Sequence, residues 1–220
     1  MLVDFFENGL CFYCDLAQKE LMAFADFNAR TESLWRREDE ILQEEIEGIL
    51  NKYPKADRDD IVDSYAWELH LNQYKYPDIH RSTLVVSIFV FIEDQLNGLC
   101  EVLATSMTTK LRFTDLSGQG IERALLFLSK VAGFNLGRIS GLSFVKEVGR
   151  LRNKMVHAGG ILSVDAQDKL NKFVQSTVGL RGEPGSRVHI DQEFITHFID
   201  ETVKFFDELD VEVQEFMARF

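Results

Sequence analysis

The chain has 220 residues, 45% hydrophobic and 27% charged, with a formal net charge of −12. That size and balance suit one large domain, or a domain with an extension, around a buried core. The acidic charge repels phosphate backbones at long range and excludes stable, non-specific binding to duplex nucleic acid, while leaving room for a small basic site that meets RNA transiently.

Only three prolines, Pro54, Pro77 and Pro184, interrupt the chain, which favours long helices over many short strands. Three cysteines, Cys11, Cys14 and Cys100, argue against a disulfide framework and for a reducing, cytoplasmic compartment. The start, MLVDFFENGL, has neither the basic region nor the apolar run of a signal peptide. The longest apolar run, Leu84 to Ile92, is broken by Ser87 and followed by Glu93 and Asp94. It is too short to span a bilayer, so no membrane association is expected. It reads as a buried helix, with a buried strand second because of its β-branched content.

In chain order, Leu16, Leu21, Phe24, Phe27, Leu34, Ile41, Ile46 and Leu50 recur at helical spacing and predict one or two helices over 11–51. The charged stretch Arg36 to Glu47 reads as a solvated face. Pro54 marks a turn, and a second helix follows over about 56–71, rich in charges and aromatics. QYKYPD reads as the next boundary, with Asp78 capping a helix over about 78–104 that forms the centre of the core. Helices are expected over about 119–131, 142–156 and 165–174, the last starting near Ser163. The stretch around GEPGS predicts a small β-hairpin, and 191–219 a long final helix.

The stretch with chemistry is FVKEVGRLRNKMVHAGG, Phe144 to Gly160. At about 100° per residue, Leu142, Val145, Val148, Leu151, Met155 and Val156 share an apolar side. Lys146, Arg150, Asn153 and His157 share a flanking polar side. Arg152 falls inside the apolar stripe, where a charge is costly without a partner. It pairs with a carboxylate such as Glu93 or Asp94, points into a subunit interface, or lines a cleft that receives an anion. Asn153 and His157, four apart, share a face. His157 stands at the expected helix end before Ala158-Gly159-Gly160, where an imidazole is exposed and suited to acid–base work near neutral pH. An arginine beside it holds a phosphate and stabilises developing charge.

Arg152-Asn153-Lys154-Met155-Val156-His157 resembles the RNase-type motif of the HEPN superfamily, an arginine and a histidine separated by four to six residues, often with a polar residue after the arginine; Arg150 with His157 also fits that spacing, but Arg152 with Asn153 is the closer match. The resemblance covers about 17 residues, in a helical context over 78–220. It implies an all-α, up-and-down helical bundle over residues 77–220, preceded by an N-terminal helical extension over 1–76; one continuous domain is the other division. It also implies a symmetric homodimer and a metal-independent endoribonuclease acting on single-stranded RNA without a cofactor. In that scheme Arg152 and His157 are catalytic, Asn153 supports both, and Arg150, Lys146 and Lys154 contact RNA. Members act as toxins with an antitoxin partner or in antiviral defence. Others are non-catalytic modules that bind a nucleotide or a protein.

One geometric difficulty is visible in advance. Arg152 and His157 are five apart, about 140° around an ideal helix. Either a two-fold axis supplies complementary groups, or the helix ends early and the chain bends.

Other signals are weaker. Cys11-x-x-Cys14 has no second pair at zinc-ligand spacing and reads as packing. His70 and His80 flank a turn and read as surface or core residues, as do His189 and His197. GRISG and LSGQG lack a phosphate-loop lysine and read as turns.

Overall fold

The computed structural model describes residues 4–55, 58–107, 109 and 111–219. Among these, the protein is all-α with a single two-stranded hairpin. The helices are α1 (Tyr13–Leu50), α2 (Arg58–Ser64), α3 (Ala66–His70), α4 (Tyr76–Ser106), α5 (Ile121–Lys130), α6 (Leu142–Ala158), α7 (Lys169–Ser176) and α8 (Gln192–Met217). Strands β1 (Leu180–Arg181) and β2 (His189–Ile190) pair antiparallel, as the turn residues between them predict.

Helix α4 is the central element. Leu84, Val85, Ile88, Phe89, Ile92, Leu96, Leu99, Cys100 and Leu103 recur every three or four residues and are all buried. Facing them, α8 buries Phe194, Phe198, Phe205, Phe206 and Phe216. Each buried phenylalanine removes well over 100 Å² from water, which is worth roughly 2–3 kcal/mol. The start of α1 closes the same core through Cys14, Ala17 and Leu21, packed on α8. The helical stretch Ala66–Ser106 is long and apolar enough to cross a membrane by length and composition. Within it, the side chains from Leu84 to Leu103 named above are spent in this core, and 44% of its most apolar window is buried.

Three local expectations are corrected. QYKYPD is not a boundary: Leu71–Lys75 is a π-helical segment that runs α3 into α4. Pro77 has no N–H to give, and the wider register, with the Tyr76 N–H reaching back to Leu71 O, carries the chain past it. Asp78 therefore caps nothing, and its carboxylate takes Arg187 at 3.1 Å. The helix expected over 56–71 is two helices, α2 and α3, divided at Tyr65; its expected start at Ala56 lies outside the described residues. Finally, α7 starts at Lys169, because the Asp168 carboxylate accepts the Leu170 and Asn171 N–H groups as its cap.

Along α1 the apolar residues do not form one buried face. Leu16, Phe27, Leu34 and Ile41 are each about half exposed. Beyond Leu21 the helix meets α4 through ring contacts, Phe24 on Phe91 and Trp35 on Tyr76, and through polar groups. The Glu32 carboxylate accepts from Arg81 Nε at 2.6 Å and Nη2 at 2.7 Å, and Asn28 Oδ1 lies 3.1 Å from His80 Nε2.

Candidate functional site

Helix α6 lies against α4 through Val145, Val148, Gly149 and Leu151, all buried. Gly149 permits the approach: a Cβ there would come within 2.7 Å of the Phe89 ring. The stripe ends at Met155, and Val156 is 53% exposed. Helical geometry continues through His157 to Ala158, so the early helix end that would swing His157 round is not observed. Gly159 (φ 59°) and Gly160 (φ 76°) then turn in the left-handed region, both returning N–H groups to Lys154 O. Only glycine enters that region without strain, which is why the chain reverses just after His157.

The segment leaving α6 is pinned to the hairpin by Val188 N–H to Gly160 O and Leu162 N–H to Ser186 O. Buried Asn171 of α7 holds the following loop through Ser163 O at 2.8 Å and Asp165 O at 2.7 Å. These bonds build a fixed wall opposite the last turns of α6. Between wall and helix lies an open groove of about 610 Å³ lined by Arg150, Asn153, Lys154, His157, Asp168 and Lys169. Four of those six carry or accept positive charge, in a chain whose net charge is −12.

The sequence-predicted residues divide between two places. His157, Asn153, Arg150 and Lys154 line the groove together. Arg150 also pairs with Glu147, one turn back. Lys146 does not join them: it pairs with Glu122 of α5 at 3.2 Å, roughly 16 Å along the helix from His157. Arg152 faces α4. Its Nη2 donates to Glu93 Oε2 at 3.1 Å, its Nη1 donates to Asn153 Oδ1 at 2.9 Å, and its guanidinium carbon stands 5.0 Å from the centre of the Phe89 ring. Of the two carboxylates expected near it, Glu93 is the partner and Asp94 is exposed.

An ion pair, an amide and an aromatic face thus explain how a charge sits in an apolar stripe. The pair is not sealed away, since the side chains of Arg152 and Glu93 are 20% and 25% exposed. Arg152 Nε is buried without a partner among the described residues. Asn153 is the physical link: it lines the groove and holds Arg152.

The cysteines are free, and Cys14 and Cys100 are buried in the core. Burial pushes the Cys100 thiol up to about 12 and the Cys14 thiol higher still, so both stay protonated and inert. Among the described residues no group of three or more His, Cys, Asp or Glu side chains is placed to hold a metal ion.

Sequence reasoning passed over a second cluster. Trp67 stacks on His70 and His70 on Tyr74, and the last two line a cleft with three arginines. The signal is the i, i+3, i+7 spacing of three rings, but it runs from the helix expected over 56–71 into the boundary expected at QYKYPD, which separates Tyr74 from the other two. Comparison of the chain with protein-family models, curated proteins and solved structures gave no match.

Proposed function

We propose that the protein is a metal-independent endoribonuclease of HEPN type that cleaves single-stranded RNA at the α6 groove. The observation that carries this reading is the shared groove of His157, Asn153, Arg150 and Lys154, a local cationic cleft on an acidic chain. The His157 imidazole takes the 2′-hydroxyl proton, and the 2′-oxygen attacks phosphorus. The bond from phosphorus to the 5′-oxygen breaks, and that oxygen takes a proton from the His157 imidazolium, directly or through a water, which restores the imidazole. The products are a 2′,3′-cyclic phosphate and a 5′-hydroxyl. Arg152 of the second copy in a homodimer neutralises charge developing on the phosphate, and Asn153 beside it holds that guanidinium. A homodimer in the cytoplasm, acting as a toxin or defence effector under an antitoxin or other protein partner, completes this reading.

The first prediction follows directly. His157→Ala and Arg152→Ala each lower cleavage of a labelled single-stranded RNA at least about 100-fold. Chelation by EDTA leaves the wild-type rate unchanged. Full activity in both variants would end the proposal.

A second reading has its own observation: Arg152 is engaged by Glu93, Asn153 and Phe89 and does not itself line the groove. On that reading the fold is a non-catalytic module that binds a nucleotide or a protein partner. RNA binding that depends on Lys154 and Lys169, with no cleavage by any variant, distinguishes it.

A further inference from the structure

The stretch from Trp67 to Lys75 stands outside the α6 groove and carries its own arrangement. The rings of Trp67, His70 and Tyr74 form a column, with centroids 5.6 Å and 5.8 Å apart and planes within 27° of parallel. Trp67 and Tyr74 are 64% and 65% exposed. Two large rings presented to water, each stacked on His70 between them, form a ready stacking surface. The π-helical segment Leu71–Lys75 lies within this column, and such widened turns are frequent at functional sites.

Across from His70 and Tyr74 lie cationic groups from α4 and the hairpin. A cleft of about 360 Å³ separates the two walls and is lined by Lys75, Arg81, Arg181 and Arg187. Arg81 is fixed from behind by Glu32. Arg181 holds Asp191 through Nε and Nη2, both at 2.7 Å, and Arg187 holds Asp78 through Nη2 at 3.1 Å. A guanidinium has five N–H donors, so each of these two keeps donors beyond the carboxylate that orients it. Four cations stand against two carboxylates, Asp78 and Asp191, in the lining of the cleft.

A flat aromatic face beside oriented guanidinium groups matches a nucleobase beside its phosphate. We propose that this cleft binds a nucleotide unit, with the base stacked on Tyr74 and the phosphate held by Arg181 and Arg187. The unit belongs either to single-stranded RNA or to a free mononucleotide. Only the RNA source rests on the nuclease reading. In its favour, Arg187 also lines a smaller cleft with Val156 and Gly159, the residues on either side of the last turn that carries His157.

The test is the fluorescence anisotropy of a fluorescein-labelled oligouridine titrated with the full chain in a His157→Ala background, with UMP and ATP as unlabelled competitors. Tyr74→Ala and Arg187→Ala each weaken binding about tenfold, whereas Tyr74→Phe stays within about twofold of the parent. Both positions are exposed, and far-ultraviolet circular dichroism checks that the fold is kept. Displacement by the free nucleotides at comparable concentration assigns the site to mononucleotides; binding they do not displace assigns it to RNA. Either result supports the site. Equal affinity in Tyr74→Ala and Arg187→Ala, or no binding of either probe, overturns it. Cleavage by the chain with His157 intact is read separately, so tyrosine-dependent binding without cleavage sinks the nuclease reading alone.

Discussion

Gly149 sets how closely α6 approaches α4, and through that it sets where Arg152 meets Glu93. An added methyl would meet the Phe89 ring at 2.7 Å, and that ring is 5% exposed and has little room to retreat. Alanine raises intrinsic helix propensity by about 1 kcal/mol, but overpacking costs about 1–3 kcal/mol, so the loss wins. We expect Gly149→Ala to lower the urea midpoint and Phe89→Leu in the same chain to recover part of the difference. Additive effects in that double-mutant cycle would refute the contact as the cause. At the same scale, burial, aided by Arg81 and opposed by Glu32, holds the His80 imidazole below its usual range. The unfolded chain then takes up a proton near pH 6.5 that the folded chain resists. The contribution of a neutral His80 to stability is therefore fully present above about pH 6.5 and declines as pH falls below it. Urea midpoints measured at about pH 7.5 and about pH 5.5 are expected to differ more in the parent than in His80→Gln. An equal difference in both would place the pH dependence elsewhere.

Among the elements, the outer part of α1 shows what a hydrophobic period says and what it does not. The spacing of Phe27, Leu34 and Ile41 correctly marks a helix, yet these side chains are about half exposed, because period fixes a face without fixing what the face meets. Phe27, Trp35, Tyr76 and Ile79 line an open apolar groove of about 730 Å³ between α1 and α4. The two helices are held there by the Trp35–Tyr76 stack and by a buried ion pair. Glu32 is 5% exposed and Arg81 19% at the side chain, so removing one partner strands a buried charge. Arg81→Ala is expected to cost about 3 kcal/mol, and Arg81→Met with Glu32→Leu much less, because the pair is removed together. Chemical denaturation decides it, and equal losses would be the contrary result. The long helices, the hairpin and the apolar centre at Leu84 to Ile92 were legible because each rests on local spacing. The continuous passage through Pro77 was not, since a π register depends on how neighbouring turns accommodate a missing donor rather than on any residue pattern.

For the molecule as a whole, the candidate site was half legible. Helix and polar face were readable, and so was the choice of Glu93 or Asp94 as partner of Arg152. Which of the two it is, and the departure of Lys146 toward Glu122, required the packing of α6 on α4 and α5. The groove itself was not readable, because its far wall comes from the Asn171-bound loop, remote in pattern from α6. The regular helix through His157 leaves Arg152 and His157 about 140° apart, so one chain does not focus both on one phosphate. If RNA is cleaved, two copies related by a two-fold axis supply the missing geometry, one giving Arg152 and the other His157. This has a quantitative consequence. Arg152→Ala and His157→Ala are each inactive alone, but equal amounts co-refolded give half heterodimers, each with one intact site of two, and so about a quarter of wild-type cleavage. Single-turnover cleavage of a labelled RNA by the mixture reads it directly. A mixture no more active than its components would show that both groups act from the same chain or that neither is catalytic.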